Sequence, residues 1–171
     1  ALRGTTDTDI TGDENVAIGA GSLKLNIAGA QNAAVGRYSL HDNTSGSNNT
    51  AIGYYALLDN TTATYNTAVG SNSLENTTTA GFNTGIGANS LLTNTTGQSN
   101  TAGGVNSIYS NSTGNNNTGF GRNSLYATTG SDNTSLGYQA GDVITSGSNN
   151  VVIGSGSDPS ANSASNQIVV G

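Results

Sequence analysis

A pentapeptide of the form Asn-x-small-apolar-Gly recurs through this chain at a nearly fixed interval. It begins at Asn15, Asn32, Asn49, Asn66, Asn83, Asn100, Asn117, Asn133 and Asn150, and Gln167 opens the next copy. Every step is 17 positions except that from Asn117 to Asn133, which is 16. Ten copies at one period leave little room for any architecture but a stack of like coils, in which each copy buries its apolar face only against its neighbours. Asn66-Thr67-Ala68-Val69-Gly70-Ser71-Asn72-Ser73-Leu74 shows the order of parts: a short strand, a glycine corner, a second short segment and a polar return. No stretch sustains the i, i+3, i+4, i+7 spacing of a helix.

Reading the copies as columns assigns faces. The residue before the glycine is Ile18, Val35, Ile52, Val69, Ile86, Gly103, Phe120, Leu136 and Ile153, and four residues after the glycine stand Leu23, Leu40, Leu57, Leu74, Leu91, Ile108 and Leu125. These two apolar columns are expected to form the core ladder. Side chains alternate across a strand, so the residue between the Thr or Val and the apolar position points the other way. That column is small throughout: Ala17, Ala34, Ala51, Ala68, Gly85, Ala102 and Gly119. A face kept so small implies a backbone packed close against it, and the expectation is an oligomer interface. Coils of this length rise about 4.8 Å each. The predicted fold class is therefore all-β, a parallel β-solenoid of about ten coils. Residues 1–14 form a lead-in or cap, 15–154 the repeat roll, and 155–171 a terminal coil or transition; the pattern weakens toward the C-terminus, where Gly141 and Asp158 replace the leucine column and Pro159 breaks the loop.

Composition narrows the function. Only 33% of residues are apolar and 8% charged, with a net charge of -6 and no Cys, Met or Trp. No basic patch favours nucleic acid, no apolar run approaches a membrane span, and the absence of cysteine removes disulfides, thiolate metal sites and thiol nucleophiles.

Asn49-Thr50-Ala51-Ile52-Gly53 and Asn66-Thr67-Ala68-Val69-Gly70-Ser71-Asn72-Ser73-Leu74 resemble the head repeats of trimeric autotransporter adhesins of the YadA type. They are closer still to repeats of bacteriophage tail fibres and of surface proteins that end in an endosialidase-type intramolecular chaperone. The likeness covers roughly residues 15–171. It implies a homotrimer of left-handed β-rolls lying side by side, extracellular on a cell surface or virion, with a cell-surface glycan or host receptor as a further partner. The adhesin heads use a shorter repeat, and the choice between phage fibre and bacterial adhesin stays open.

Candidate chemistry is sparse. His41, the only histidine, stands beside Asp42, and reads as a solvated variant of a position filled elsewhere by Leu58, Glu75, Leu92 or Tyr109. Asp7, Asp9, Asp13 and Glu14 are oxygen ligands of the kind calcium takes, but their spacing matches no known loop and they read as an acidic cap. Sequon-like triplets at Asn43, Asn60, Asn76, Asn94 and Asn111 read as turn chemistry. Tyr54, Tyr138, Arg37 and Arg122 follow the corner glycine and are expected on one outer edge. No nucleophile, base or metal set converges, so no enzyme, cofactor or metal is expected. The leading expectation is a structural or adhesive module of an extracellular fibre. The alternative is an ice-binding solenoid that displays Thr ladders, with Thr61-Thr62, Thr77-Thr78, Thr95-Thr96 and Thr128-Thr129 as one candidate surface.

Overall fold

A computed structural model describes residues 11–171, so the first part of the expected cap, with Asp7 and Asp9, lies outside the described residues. Each coil contributes one three-residue strand: β1 (Val16–Ile18), β2 (Ala33–Val35), β3 (Thr50–Ile52), β4 (Thr67–Val69), β5 (Thr84–Ile86), β6 (Thr101–Gly103), β7 (Thr118–Phe120), β8 (Thr134–Leu136), β9 (Val151–Ile153) and β10 (Ile168–Val170). They form a single ten-stranded parallel sheet in sequence order. Its register pairs equivalent residues, Thr67 with Thr84 and Val69 with Ile86 for instance. The fold is an all-β parallel solenoid of about nine turns, about 43 Å long at the usual strand spacing. The one coil that is shorter by a residue stays in register, with Thr118 opposite Thr134.

The short segment after the corner is a turn and not a strand. Its leucines take left-handed backbone conformations, φ 47° at Leu23 and 53° at Leu74. That conformation costs a branched side chain about 1–3 kcal/mol. It persists because it turns the side chain inward: Leu23, Leu40, Leu57, Leu74, Leu91, Ile108 and Leu125 are all fully buried. This column is core, as expected.

The strand faces are the reverse of the sequence expectation. Ala34, Ala51, Ala68 and Ala102 are buried and pack in the same core cluster as the leucines, with Ala17 partly buried against it. Gly85 and Gly119 are likewise buried. A Cβ at Gly85 would lie 2.6 Å from Ser73 Oγ, 2.9 Å from Ser90 Oγ and 3.4 Å from Leu74 Cγ, so at this coil even a methyl group would force the serines to shift. The close backbone that the small column implied belongs to the same chain, across the narrow coil. The larger column points out: Ile18, Ile52, Ile86, Phe120, Leu136 and Ile153 are 39–60% exposed, while Val35 and Val69 are half-buried. Where that column lacks a side chain at Gly103, the Phe120 ring of the next coil lies over the gap.

Asparagine fills the rest of the interior. Each repeat-opening Asn accepts, through Oδ1, the backbone N–H of its counterpart one coil on, from Asn15 and Asn32 to Asn150 and Gln167, at 2.8–3.1 Å. Each also donates from Nδ2 to a carbonyl at the end of its return loop, at 2.8–2.9 Å. A second ladder uses the sequon-like residues: Asn43 donates to Asn26, Asn60 to Asn43 and Asn111 to Asn94, all buried. Thr77 interrupts it and bonds the Asn94 carbonyl instead, so Asn60 Oδ1 is buried without a hydrogen-bond partner. Thr77→Asn should supply that donor and raise stability by about 1 kcal/mol in a chemical denaturation series. An unchanged or lower midpoint would show that the threonine packs better than the ladder bonds.

Toward the C-terminus the leucine slot is refilled rather than abandoned. Gly141 takes φ 63°, and a Cβ there would meet Ile144 Cδ1 and Leu125 Cδ2, each at 3.2 Å. Ile144, from the position of the second asparagine ladder, is fully buried in the vacated space. In the coil with Asp158 the small column widens to the buried Val152. β10 then continues the sheet, so residues 155–171 hold a terminal coil.

Candidate functional site

Two surfaces break the polar uniformity of the rod. The first is the outer face of the sheet. Alternation over each strand puts the Thr or Val residue and the apolar residue on this face, so it carries two parallel columns. One runs Val16, Ala33, Thr50, Thr67, Thr84, Thr101, Thr118, Thr134, Val151 and Ile168; the other runs from Ile18 to Val170. The first column is threonine from Thr50 to Thr134 and the second is apolar except at Gly103; the face is most exposed at its ends, with Ile168 and Val170 over 70% exposed.

The second lies on an edge of the first three coils, just past the corner glycines. An open cleft of about 420 Å³ is lined there by Lys24, Arg37, Tyr38, His41, Asp42 and Tyr55, with Leu58 at one side. Equivalent positions in successive coils stack, so Lys24, His41 and Leu58 form one column, and Tyr38 and Tyr55 another. The rings contact one another: Tyr54 and Tyr55 stack at 3.9 Å between centroids, Tyr38 and Tyr55 lie 5.6 Å apart, and His41 meets Tyr38 edge-on at 5.1 Å. The Arg37 guanidinium sits 4.9 Å from the Tyr38 ring centre and 5.9 Å from that of Tyr54. Its pKa is raised above the ordinary value, chiefly by hydrogen bonding to Tyr38. Hydrogen bonding to Tyr54 and burial raise that of the Tyr55 phenol.

His41 is therefore not a free solvated variant: its Nδ1 pairs with Asp42 Oδ1 at 2.5 Å. Among the described residues this is the one contact within 4 Å between a basic nitrogen and a carboxylate, so neither Lys24 nor Arg37 has a described carboxylate partner. The four residues expected on a common edge, Arg37, Tyr54, Arg122 and Tyr138, fall in one exposed column of the stack. Arg37 and Tyr54 meet, and Arg122 lies 6.0 Å from the Tyr138 ring far along the rod. In the sequence Tyr55 stands a full repeat after Tyr38, which keeps the tyrosines and His41 apart; stacking the repeat in register brings them together.

The other candidates do not gather. Asp13 and Glu14 are exposed, and no group of three potential metal ligands occurs among the described residues. Of the Thr pairs, Thr77 and Thr128 are buried. Thr61, Thr95 and Thr129 donate their hydroxyls to carbonyls of the next coil, at 2.8–3.0 Å. Compared with known proteins, the chain matches no family model, no curated protein and no solved structure.

Proposed function

We propose that this chain is a structural and adhesive segment of an extracellular homotrimeric fibre, a phage tail fibre or a bacterial surface adhesin. It supplies rigid length and a repetitive attachment surface, with no catalytic role. The observation that carries the reading is the exposed apolar column on the outer face of the sheet, which runs from Ile18 to Val170 with one gap at Gly103 that the Phe120 ring covers. An exposed apolar strip tens of ångströms long calls for a partner. A second copy in parallel register presents columns with the same rise per coil, so side chains interdigitate along the full length. Three copies around one axis cover all three strips, and the repeat resemblance favours that number. The oligomer interface is thus assigned to the column headed by Ile18, Ile52 and Ile86, in place of the buried alanine column.

The test is the double substitution Ile52→Glu with Ile86→Glu, which places two carboxylates mid-face without touching the interior. In this reading the mass in solution falls from three chains to one while the far-ultraviolet circular dichroism of the strands is kept. A variant that remains a trimer rejects this face as the interface.

Ice binding is the second reading, and one observation favours it. Thr50, Thr67, Thr84, Thr101, Thr118 and Thr134 form an unbroken row on the same flat face, spaced by one strand each. It requires that face to be free, so a monomer with thermal hysteresis supports it and a trimer without hysteresis removes it.

A further inference from the structure

We infer that the edge cleft lined by Lys24, Arg37, Tyr38, His41, Asp42 and Tyr55 binds a carboxylate-bearing saccharide. The inference rests on the reading of the rod as an attachment module, but it concerns a different surface from the one that joins copies. Three features set these coils apart from the later ones, and all three build the cleft.

The first departure is the choice of tyrosine. Position two after the corner glycine is left-handed in successive coils, φ 59° at Tyr38 and Tyr55 and 54–58° at Asn72, Asn89, Asn106 and Asn123. Asparagine tolerates this conformation better than other non-glycine residues, whereas a bulky side chain there is an outlier. Asparagine here also bonds along the rod, Asn89 to Asn106 at 3.1 Å and Asn106 to Asn123 at 3.2 Å. Tyr38 and Tyr55 forgo both advantages in neighbouring coils, and place two phenol rings side by side. Local choices that contradict the backbone are expected where a site is built.

The second departure is Gly21, which takes the same position one coil earlier with φ 74°. A Cβ there would collide with the Tyr38 ring and come within 3.3 Å of His41 Cδ2, so the absent side chain is what lets the ring settle. The third is charge. The chain as a whole carries -6, yet two cations, Lys24 and Arg37, line the cleft with one carboxylate, Asp42, whose Oδ1 meets His41 Nδ1, while Asp59 stands in the same column as Asp42 one coil on.

Aromatic rings beside fixed cations define the ligand's chemistry. The C–H face of a pyranose packs against a tyrosine ring, and Arg37 offers the planar fork that takes a carboxylate in two parallel bonds. Lys24 adds a second, more mobile cation, and the His41–Asp42 pair supplies donors and acceptors for hydroxyl groups. A cleft of about 420 Å³ accommodates a mono- to disaccharide. A purely anionic ligand would not use the rings, and a neutral sugar would not use the unpaired cations.

The experiment uses the full chain with sialyllactose and a hyaluronan tetrasaccharide as acidic probes and lactose as the neutral one, read by saturation-transfer NMR and titration. At least one acidic probe should saturate with Kd of about 1 mM or tighter, and lactose should bind at least about tenfold more weakly. Arg37→Ser and Tyr55→Asn should each weaken the acidic probe by about tenfold or more. Tyr55→Asn restores the residue that later coils carry, so its melting temperature should hold or rise, which separates loss of the site from loss of the fold. Arg122→Ser, far along the rod, should leave binding unchanged. No saturable signal from either acidic probe, lactose binding equal to theirs, or full binding by the Arg37 and Tyr55 variants overturns the inference. Because these readouts do not depend on the number of chains, a negative result here leaves the fibre reading standing, and a monomeric chain leaves this inference standing.

Discussion

Gly70→Val should cost the rod more than about 4 kcal/mol and split it cooperatively near its middle. Gly70 adopts φ 138°, a conformation open essentially to glycine alone, and forcing another residue into it costs about 1–3 kcal/mol. Space adds to strain: even a Cβ would sit 2.5 Å from the Gly87 carbonyl oxygen and 2.6 Å from its carbon, both backbone atoms of the next coil. The coils must therefore separate at that corner, which pulls apart the bond from the Gly87 N–H to the Val69 carbonyl, 2.8 Å in the intact rod. In a stack held by nearest-neighbour interfaces, one broken interface divides the whole. Thermal melting read by circular dichroism, with limited proteolysis to locate the cut, should show a large drop and cleavage close to Gly70. Ser71→Ala, at the exposed neighbour, should stay within about 0.5 kcal/mol of the parent. A Gly70→Val chain that melts with the parent would mean the corner does not set the spacing of the coils.

Asn66→Ala should destabilise by about 1–4 kcal/mol although it removes few side-chain atoms. Asn66 Oδ1 accepts the Asn83 N–H at 2.8 Å, and its Nδ2 donates to the Ala80 carbonyl at 2.9 Å. Asn66 and Asn83 are buried, as is Ala80. Alanine leaves the Asn83 N–H inside the coil without a partner, at about 1–3 kcal/mol, and leaves the Ala80 carbonyl with only the long 3.4 Å bond from Asn83 Nδ2. Thr79→Ala, on the exposed loop, is the comparison and should stay within about 0.5 kcal/mol. Urea denaturation midpoints decide between them: equal midpoints would show that the ladder is incidental to folding.

The repeat was legible down to its register, because the identical spacing of Asn, apolar residue and Gly dictates which residue stacks on which. The leucine column was legible as core for the same reason. The sidedness of the strand was not. A three-residue strand has only one residue on one face and two on the other, so alternation states that Ala68 and Val69 point opposite ways without stating which is inside. Hydrophobicity favoured Val69, yet the coil is narrow. Leu74, turned inward by its left-handed backbone, already fills the interior, and Asn66 and Asn83 occupy much of the remainder. What is left beside them admits an alanine methyl and expels a valine. The refilling of the core by Ile144 was hidden similarly, since its position in other coils holds Asn or Thr. The edge cleft needed both levels: the tyrosines and His41 were visible one at a time, and only the in-register stack put their rings in contact.

The outward sidedness of the Ile18-to-Val170 column is what leads from this fold to a fibre, and the mass of the native chain in solution tests it most directly. Light scattering at micromolar concentration should give three times the 16.9 kDa of the chain. A stable 16.9 kDa species would contradict the account, because it would leave the whole apolar face of the rod permanently in water.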